Sequence, residues 1–574
     1  MSHRNQLTGR CRPSSRAEPA TARNPVAEFL LRCLSVFCAC LVGLHGTAFA
    51  GIISYDYSAS GLITDDISAG TVSGTSLINN FVSGGNISIS GAATVDSMTG
   101  GILRVGKAGN FTTISGGELT ISAAATLGTI SGGIVRAAGV SSVISITGGV
   151  VTFSLEGATN TVGSLQGGNI VNYTNLRVSS GTHTGQISGT GLLEKVGAGT
   201  LSLGGVNSYS GGTKISAGVL NINGATALGG GTIEFAGGAV DNTSGAAVVL
   251  ATSNVQKWTQ GFTFTGSNPL NLGYGNVTLG LTPTITVTAS TLTVGGAIMG
   301  AGYGLIKEGN GTLVLTGNNA YAGPTVINAG ILQLGDAWVS GRLSGLSAVV
   351  NNGTLLFKRA GTLTQGSDFG PVISGNGAVI QNGIGILVLN GANTFTGGLN
   401  LLSGQLNINA TGALGQGGTL TFGGGTIDNS SGQSVTVLSN IPQIWNANVS
   451  FQGTNSLDLG TGIIAMTAPR TVNVVASSLA LGGQITDGGN GYGLTKTGSG
   501  MLSLGGVNSY SGGTNVVAGT LMLLGGSNRL SPTSSLIVSG GVLNLGGNLQ
   551  QIRGLIQVSG GSVQNGTLFS LSND

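Results

Sequence analysis

Charge is scarce in this chain. Only 7% of its 574 residues are Asp, Glu, Lys or Arg, against roughly 25% in an ordinary soluble protein. Six of the Arg (4, 10, 12, 16, 23 and 32) and two of the Glu (18 and 28) sit in the first fifty residues. The remainder carries 15 basic and 16 acidic groups. No basic run follows residue 50, so nucleic-acid binding lacks the electrostatic footprint it needs. Cysteine is confined to Cys11, Cys33, Cys38 and Cys40, which leaves the rest of the chain without a disulfide framework or a thiolate metal site. No apolar run after residue 50 is long enough to cross a membrane as a helix.

Chemistry-bearing clusters are missing as well. Glycan hydrolysis needs two carboxylates flanking one bond, and the acids here are thinly spread. Asp65 and Asp66 are neighbours, so on a strand they would point to opposite faces; a polar turn is expected there. No Asp-x-Asp-x-Asp or Gly-Gly-x-Gly-x-Asp run offers calcium a loop. His183 is the single histidine after residue 50 and is expected at the surface. The expectation is therefore no catalytic residue, no cofactor and no metal ligand.

Glycine and β-formers are what the chain has instead. There are 108 Gly and only 10 Pro, and 40% of residues are hydrophobic. The apolar residues are spread evenly. A disordered chain lacks the apolar surface that offsets lost conformational entropy; this one has it, in a form that predicts many short strands separated by tight turns.

The front of the chain reads as an export signal. A basic leader ends at Arg32, an apolar stretch runs from Cys33 to Leu44, and Ala48-Phe49-Ala50 forms a small-x-small cleavage site. Cleavage is expected near Ala50.

Next comes a period. Gly-Gly pairs recur every sixteen residues at Gly84-Gly85, Gly100-Gly101, Gly116-Gly117, Gly132-Gly133 and Gly148-Gly149. Two residues beyond each pair stand Ile87, Leu103, Leu119, Val135 and Val151. Four beyond stand Ile89, Val105, Ile121, Ala137 and Phe153. Further apolar positions follow at Val95, Phe111, Leu127 and Val143, then at Met98, Ile114, Ile130 and Ile146. Alternate residues facing inward make a strand, and equivalent residues of stacked coils form ladders. Arg104 and Arg136 share an outward register and are expected on a solvated strand face. At about 20 residues per coil, the chain after residue 50 makes roughly 26 coils of an all-β parallel solenoid.

A larger duplication lies behind. "GAGTLSLGGVNSYSGGTKISAGVLNI" from Gly197 returns as "GIGILVLNGANTFTGGLNLLSGQLNI" from Gly383, and Phe235, Asp241 and Trp258 return as Phe422, Asp428 and Trp445. The organisation expected is a signal peptide (1–50), a short-coil section (51–190), a first copy (191–377), and a second copy with C-terminal coils (378–574). Each copy holds two related cassettes. The full set is led by Lys195, Lys307, Gln381 and Lys496, and carries Tyr209, Tyr321, Phe395 and Tyr510. The aromatics, like Trp258 and Trp445, are expected to pack corners rather than stack ligands. The lysines fit a turn role, since Gln381 replaces one.

The cassette pattern Lys-x-Gly-x-Gly-Thr-Leu-x-Leu-x-Gly-x-Asn-x-Tyr-x-Gly-Gly-Thr, then Ala-Gly-x-Leu, resembles the autotransporter-associated β-strand repeat, also called the passenger-associated transport repeat. Lys195–Leu220 and Lys496–Leu521 match best. Pro324 interrupts the copy from Lys307, and the copy at Gln381 has Phe395 for Tyr and Leu399 for Thr. The resemblance implies a right-handed β-helix exported across the outer membrane as an autotransporter passenger. It implies a secreted or cell-surface location and an adhesin-type partner: a host-cell, matrix or glycan surface. The tail from Leu568 to Asp574 keeps the glycine-rich style and no barrel-like segment occurs, so an outer-membrane barrel or anchor is expected outside this chain. A polysaccharide-active β-helix enzyme, or a spacer for another domain, is the alternative.

Overall fold

The computed structural model describes residues 54–56, 71–74, 77–138, 141–153 and 159–571. The export signal with Ala50, and Asp65 and Asp66, lie outside the described residues. Residues 53–574 form one unit, an all-β solenoid of about 24 turns. Neighbouring strands pair in parallel, coil upon coil.

The sixteen-residue coil contains two strands. In one coil these are Ile102–Val105 and Gly109–Ile114. The short strand alternates inward and outward. The long one turns Gly109, Phe111 and Ile114 inward with two successive outward residues between the last two. That break in the alternation bends the strand and supplies a third side. Register follows the sixteen-residue step: Ile87, Leu103, Leu119, Val135 and Val151 pair in sequence. So do Val95, Phe111, Leu127, Val143, Val162 and Val178. These side chains are fully or almost fully buried, and each contributes roughly 1.5–3 kcal/mol of apolar burial. The second glycine of each pair is obligatory. Gly101 has φ +74°, and a Cβ there would lie 2.6 Å from the backbone of Gly84 on the coil before.

The coil changes at the strand Asn175–His183. Its first half pairs with Leu192–Lys195 and its second half with Thr200–Leu203. The bend has opened into a true corner, Val196–Gly199, and one strand has become two. The third side becomes an irregular arc through Asn207 and Tyr209.

Successive cassettes do not stack on the same side. The second strand of the first cassette, Thr200–Leu203, is followed coil by coil through Val219–Ile222, Ala239–Asp241, Phe262–Phe264 and Thr284–Val287 to Leu305–Glu308, which leads the second cassette. The same rule carries Thr312–Leu315 to Ala378–Gln381. It also carries Ile386–Leu389 to Leu494–Thr497. Each cassette therefore begins one side further round the solenoid.

Candidate functional surface

Opening the bend into a corner turns backbone carbonyls inward, and inward carbonyls need donors. The cassette lysine supplies them. Lys195 stands in an apolar ladder between Val178 and Ile215 and is fully buried. Its Nζ donates to the carbonyls of Val196, Gly197 and Ala217 at 2.7, 3.0 and 3.1 Å. Lys307 and Lys496 repeat this with three carbonyls each. Burial brings all three ammonium groups down to about 8, against the attraction of the carbonyl dipoles. Gln381 does the same work with its amide, donating to Gly383 and Gly385.

The arc is held by asparagine. Asn207 accepts from the Ile187 amide of the preceding coil (2.8 Å) and donates to the Ala227 carbonyl of the next (2.7 Å). Asn319, Asn393 and Asn508 form the same clamp. Beside it the buried hydroxyls of Tyr209, Tyr321 and Tyr510 meet Thr213, Thr325 and Thr514 at 2.6–2.7 Å, and burial raises all three phenols. In the third cassette Phe395 and Leu399 replace both partners at once, and both are buried. Losing both ends of a buried hydrogen bond is nearly neutral, whereas losing one is not.

The remaining polar candidates are also engaged. Trp258 and Trp445 are buried, their indole N–H groups on Gln256 and Gln443. Asp241 accepts from the backbone of Asn242, Gly266 and Ser267, and Asp428 from Thr454. Asp487 is almost buried, which would raise its carboxyl. Hydrogen bonds from Gly489, Ser511 and Tyr492 prevail and hold it well below the usual carboxylate range. Arg104 bonds Asn86, and Arg136 pairs with Glu118. Among the described residues no three His, Cys, Asp or Glu gather as a metal would require, and no helix is long and apolar enough to cross a membrane.

His183 departs from expectation. It is fully buried rather than superficial, because the lengthened strand turns it into the ladder above Leu203. Neither ring nitrogen meets a hydrogen-bonding atom among the described residues. Burial holds its pKa down to about 4.

One outward column was missed in the sequence. Arg177, Glu194, Lys214, Glu234 and Lys257 stand in register on five consecutive coils with alternating sign. Arg177 and Glu194 are 3.1 Å apart, and Lys214 and Glu234 3.8 Å. A shallow depression of about 260 Å³ lies along this column, lined by Thr159, Asn175, Arg177, Leu192, Glu194 and Lys214. The exposed Trp338 was missed too, since its residue type gives no hint of which way it faces.

Comparison with known proteins agrees with this geometry. The passenger-associated-transport-repeat model matches residues 193–222, 305–334, 379–408 and 494–523. These ranges hold the four lysine or glutamine corners and the four asparagine clamps. The chain is 30% identical over 430 residues to the Adhesin BmaC autotransporter of Brucella suis biovar 1 (strain 1330), covering 66% of this chain and 11% of that protein. It is 27% identical over 448 residues to the Outer membrane protein A of Rickettsia rickettsii, covering 71% of this chain and 18% of that protein. The chain thus spans less than a fifth of the length of these relatives. No solved structure matches it. With four matched repeats, each built around the same corner and clamp, the chain is a passenger-associated-transport-repeat protein.

Proposed function

We propose that this chain is an exported, adhesin-like passenger segment, carried at the outer membrane or released from the bacterial surface, that acts by binding and not by turnover. The observation that carries this reading is where the polar groups are spent. The cassette lysines, asparagines and tyrosines, and Asp241, Asp428 and Asp487, all serve backbone or neighbouring side chains inside the coils. What varies from coil to coil is the outside. A long regular exterior suits attachment to a host-cell, matrix or glycan surface. The name of the Brucella relative, an adhesin, supports the same reading.

The test is to present the purified chain to cultured cells, immobilised matrix proteins and a panel of polysaccharides. Saturable binding without product is expected. Unsaturated or reducing sugars accumulating in proportion to the chain would overturn the reading.

A further inference from the structure

One side of the short coils does not vary as the rest of the exterior does. Past the bend of the long strand, one residue faces outward, the next inward and the next outward again, as in Thr113, Ile114 and Ser115. The first outward place holds Ser97, Thr113, Thr129, Ser145, Ser164 and Ser180, paired in that order on six consecutive coils. The second holds Thr99, Ser115, Ser131, Thr147, Gln166 and Thr182. Every one of these positions except Gln166 carries a hydroxyl. The two columns stand roughly 7 Å apart across the coil and step about 4.8 Å from coil to coil.

This grid is free of charge. Neither column holds an ionisable group, and the column beside them adds one, Asp96. The side built from Ile102–Val105 and its neighbours differs, with Arg104, Glu118 and Arg136 facing outward. The grid also keeps its hydrogen-bonding capacity. Ser115, Ser131 and Thr147 donate to the carbonyls of Met98, Ile114 and Ile130 on the coil before, at 3.4–3.5 Å, which fixes each hydroxyl and leaves its lone pairs to solvent. The hydroxyls of Ser97, Thr113, Thr129 and Ser145 meet no partner among the described residues.

Stacking does not require these hydroxyls. On the cassette coils the same outward places run from Thr200 to Val219 and Ala239, and from Ser202 to Asn221. A surface that is neutral, regular in two directions and rich in unspent donors and acceptors matches a ligand with the same properties. An extended 1,4-linked glycan chain has them, since each pyranose carries several hydroxyls and advances by close to one coil spacing.

We propose that this grid is the binding site for a neutral, extended 1,4-linked polysaccharide lying along the solenoid axis. The proposal names the ligand class of the adhesin-like surface and rests on that reading. Each hydroxyl contact is weak net of water. Within the six coils no aromatic ring offers a single sugar a platform; Phe81 precedes Ser97 only at the front end. Affinity therefore builds with the number of sugars held in register. An acidic glycan gains nothing from a face without cations.

The test measures binding of the purified chain to swollen cellulose, and to cello-oligosaccharides of increasing length by calorimetry. The disaccharide is expected not to bind, and affinity to rise with length and level off at about six sugars, one per coil. Thr113→Val and Thr129→Val together keep the side-chain shape, and Val219 already occupies the column further on. This double variant is expected to bind the hexasaccharide about fivefold more weakly, with unchanged unfolding. Thr152→Val, on the charged side, is expected to change nothing, and polygalacturonate is expected not to compete. Cellulose binding that is undiminished in the double variant, independent of oligosaccharide length, or equally reduced by Thr152→Val overturns the grid. So does a chain that binds cultured cells or matrix proteins but neither cellulose nor its oligosaccharides, and that result leaves the adhesin-like reading standing. A chain that binds no surface at all overturns both.

Discussion

The strands Leu192–Lys195 and Ala378–Gln381 hold the same place in two copies of one block. Inside, the copies agree down to single hydrogen bonds. Asn207 and Asn393 make the same clamp, and the tryptophans bond Gln256 and Gln443 alike. Where chemistry differs, the partner changes with it: Lys195 becomes Gln381 and still caps inward carbonyls, and a Tyr–Thr pair becomes Phe395 and Leu399. Outside, one pairing returns, the Thr243 amide on Asn223 and the Ser430 amide on Asn409, but the charged column does not. The column Arg177–Glu194–Lys214–Glu234–Lys257 becomes Leu356–Ile380–Asn400–Thr421–Ile444. The two copies share the interior scaffold and differ in this exterior column. The two columns also lie in different sheets, because each cassette starts one side further round.

Breaking the shared interior should cost most. Asn207→Leu and Asn393→Leu each strip a buried amide and a buried carbonyl of partners. Each should cost about 3 kcal/mol, read as loss of amide protection in the adjoining coils. Both losses are expected, the larger at Asn393, which also holds Gln365; tolerance in one copy alone would show that the copies do not share the clamp.

The next effect depends on pH. Gln365 stands in the second copy where His183 stands in the first, one coil before Leu389 as His183 is before Leu203. Gln365 bonds Asn393 and Gly391, while His183 bonds nothing described. The folded pKa of His183, about 4, lies below the unfolded 6.5. The unfolded chain therefore binds more protons between those values. Stability is complete above pH 6.5 and falls on acidification toward pH 4, by on the order of 3 kcal/mol at the end of the window. His183→Gln should flatten melting midpoint against pH between 6.5 and 5, above the range where carboxylates dominate. An unchanged slope would mean that the ring reaches water.

Smaller still is the Tyr–Thr exchange. Tyr510→Phe leaves Thr514 without its phenol partner and should cost about 1–2 kcal/mol. Adding Thr514→Leu reproduces the third cassette and should restore most of it. The smallest change is expected outside: Glu194→Gln should cost less than about 1 kcal/mol, and less again in high salt.

Much of this was legible in the sequence. The sixteen-residue coils were, because one apolar ladder per position repeats without interruption. The internal roles of Lys195 and Tyr209 were, because Gln381 and Phe395 replace them in the duplicate; Trp258, expected at a corner, instead stands in a strand ladder between Phe235 and Leu279. The facing of His183 was not, since the inward–outward alternation resets where the strand lengthens. The alternating column was not, because its members are unevenly spaced, by 17, 20, 20 and 23 residues.

The account stands on the cassette lysines being internal scaffold and not surface chemistry. Amine acylation under native conditions, followed by peptide mass spectrometry, tests that most directly. Lys107 and Lys257, both exposed, should label quickly. Lys195, Lys307 and Lys496 should stay unlabelled until the coils unfold, although an amine brought down to about 8 would be the more reactive if reagent could reach it. Labelling of these three at the rate of Lys257 would contradict the account and make them candidates for chemistry at the surface.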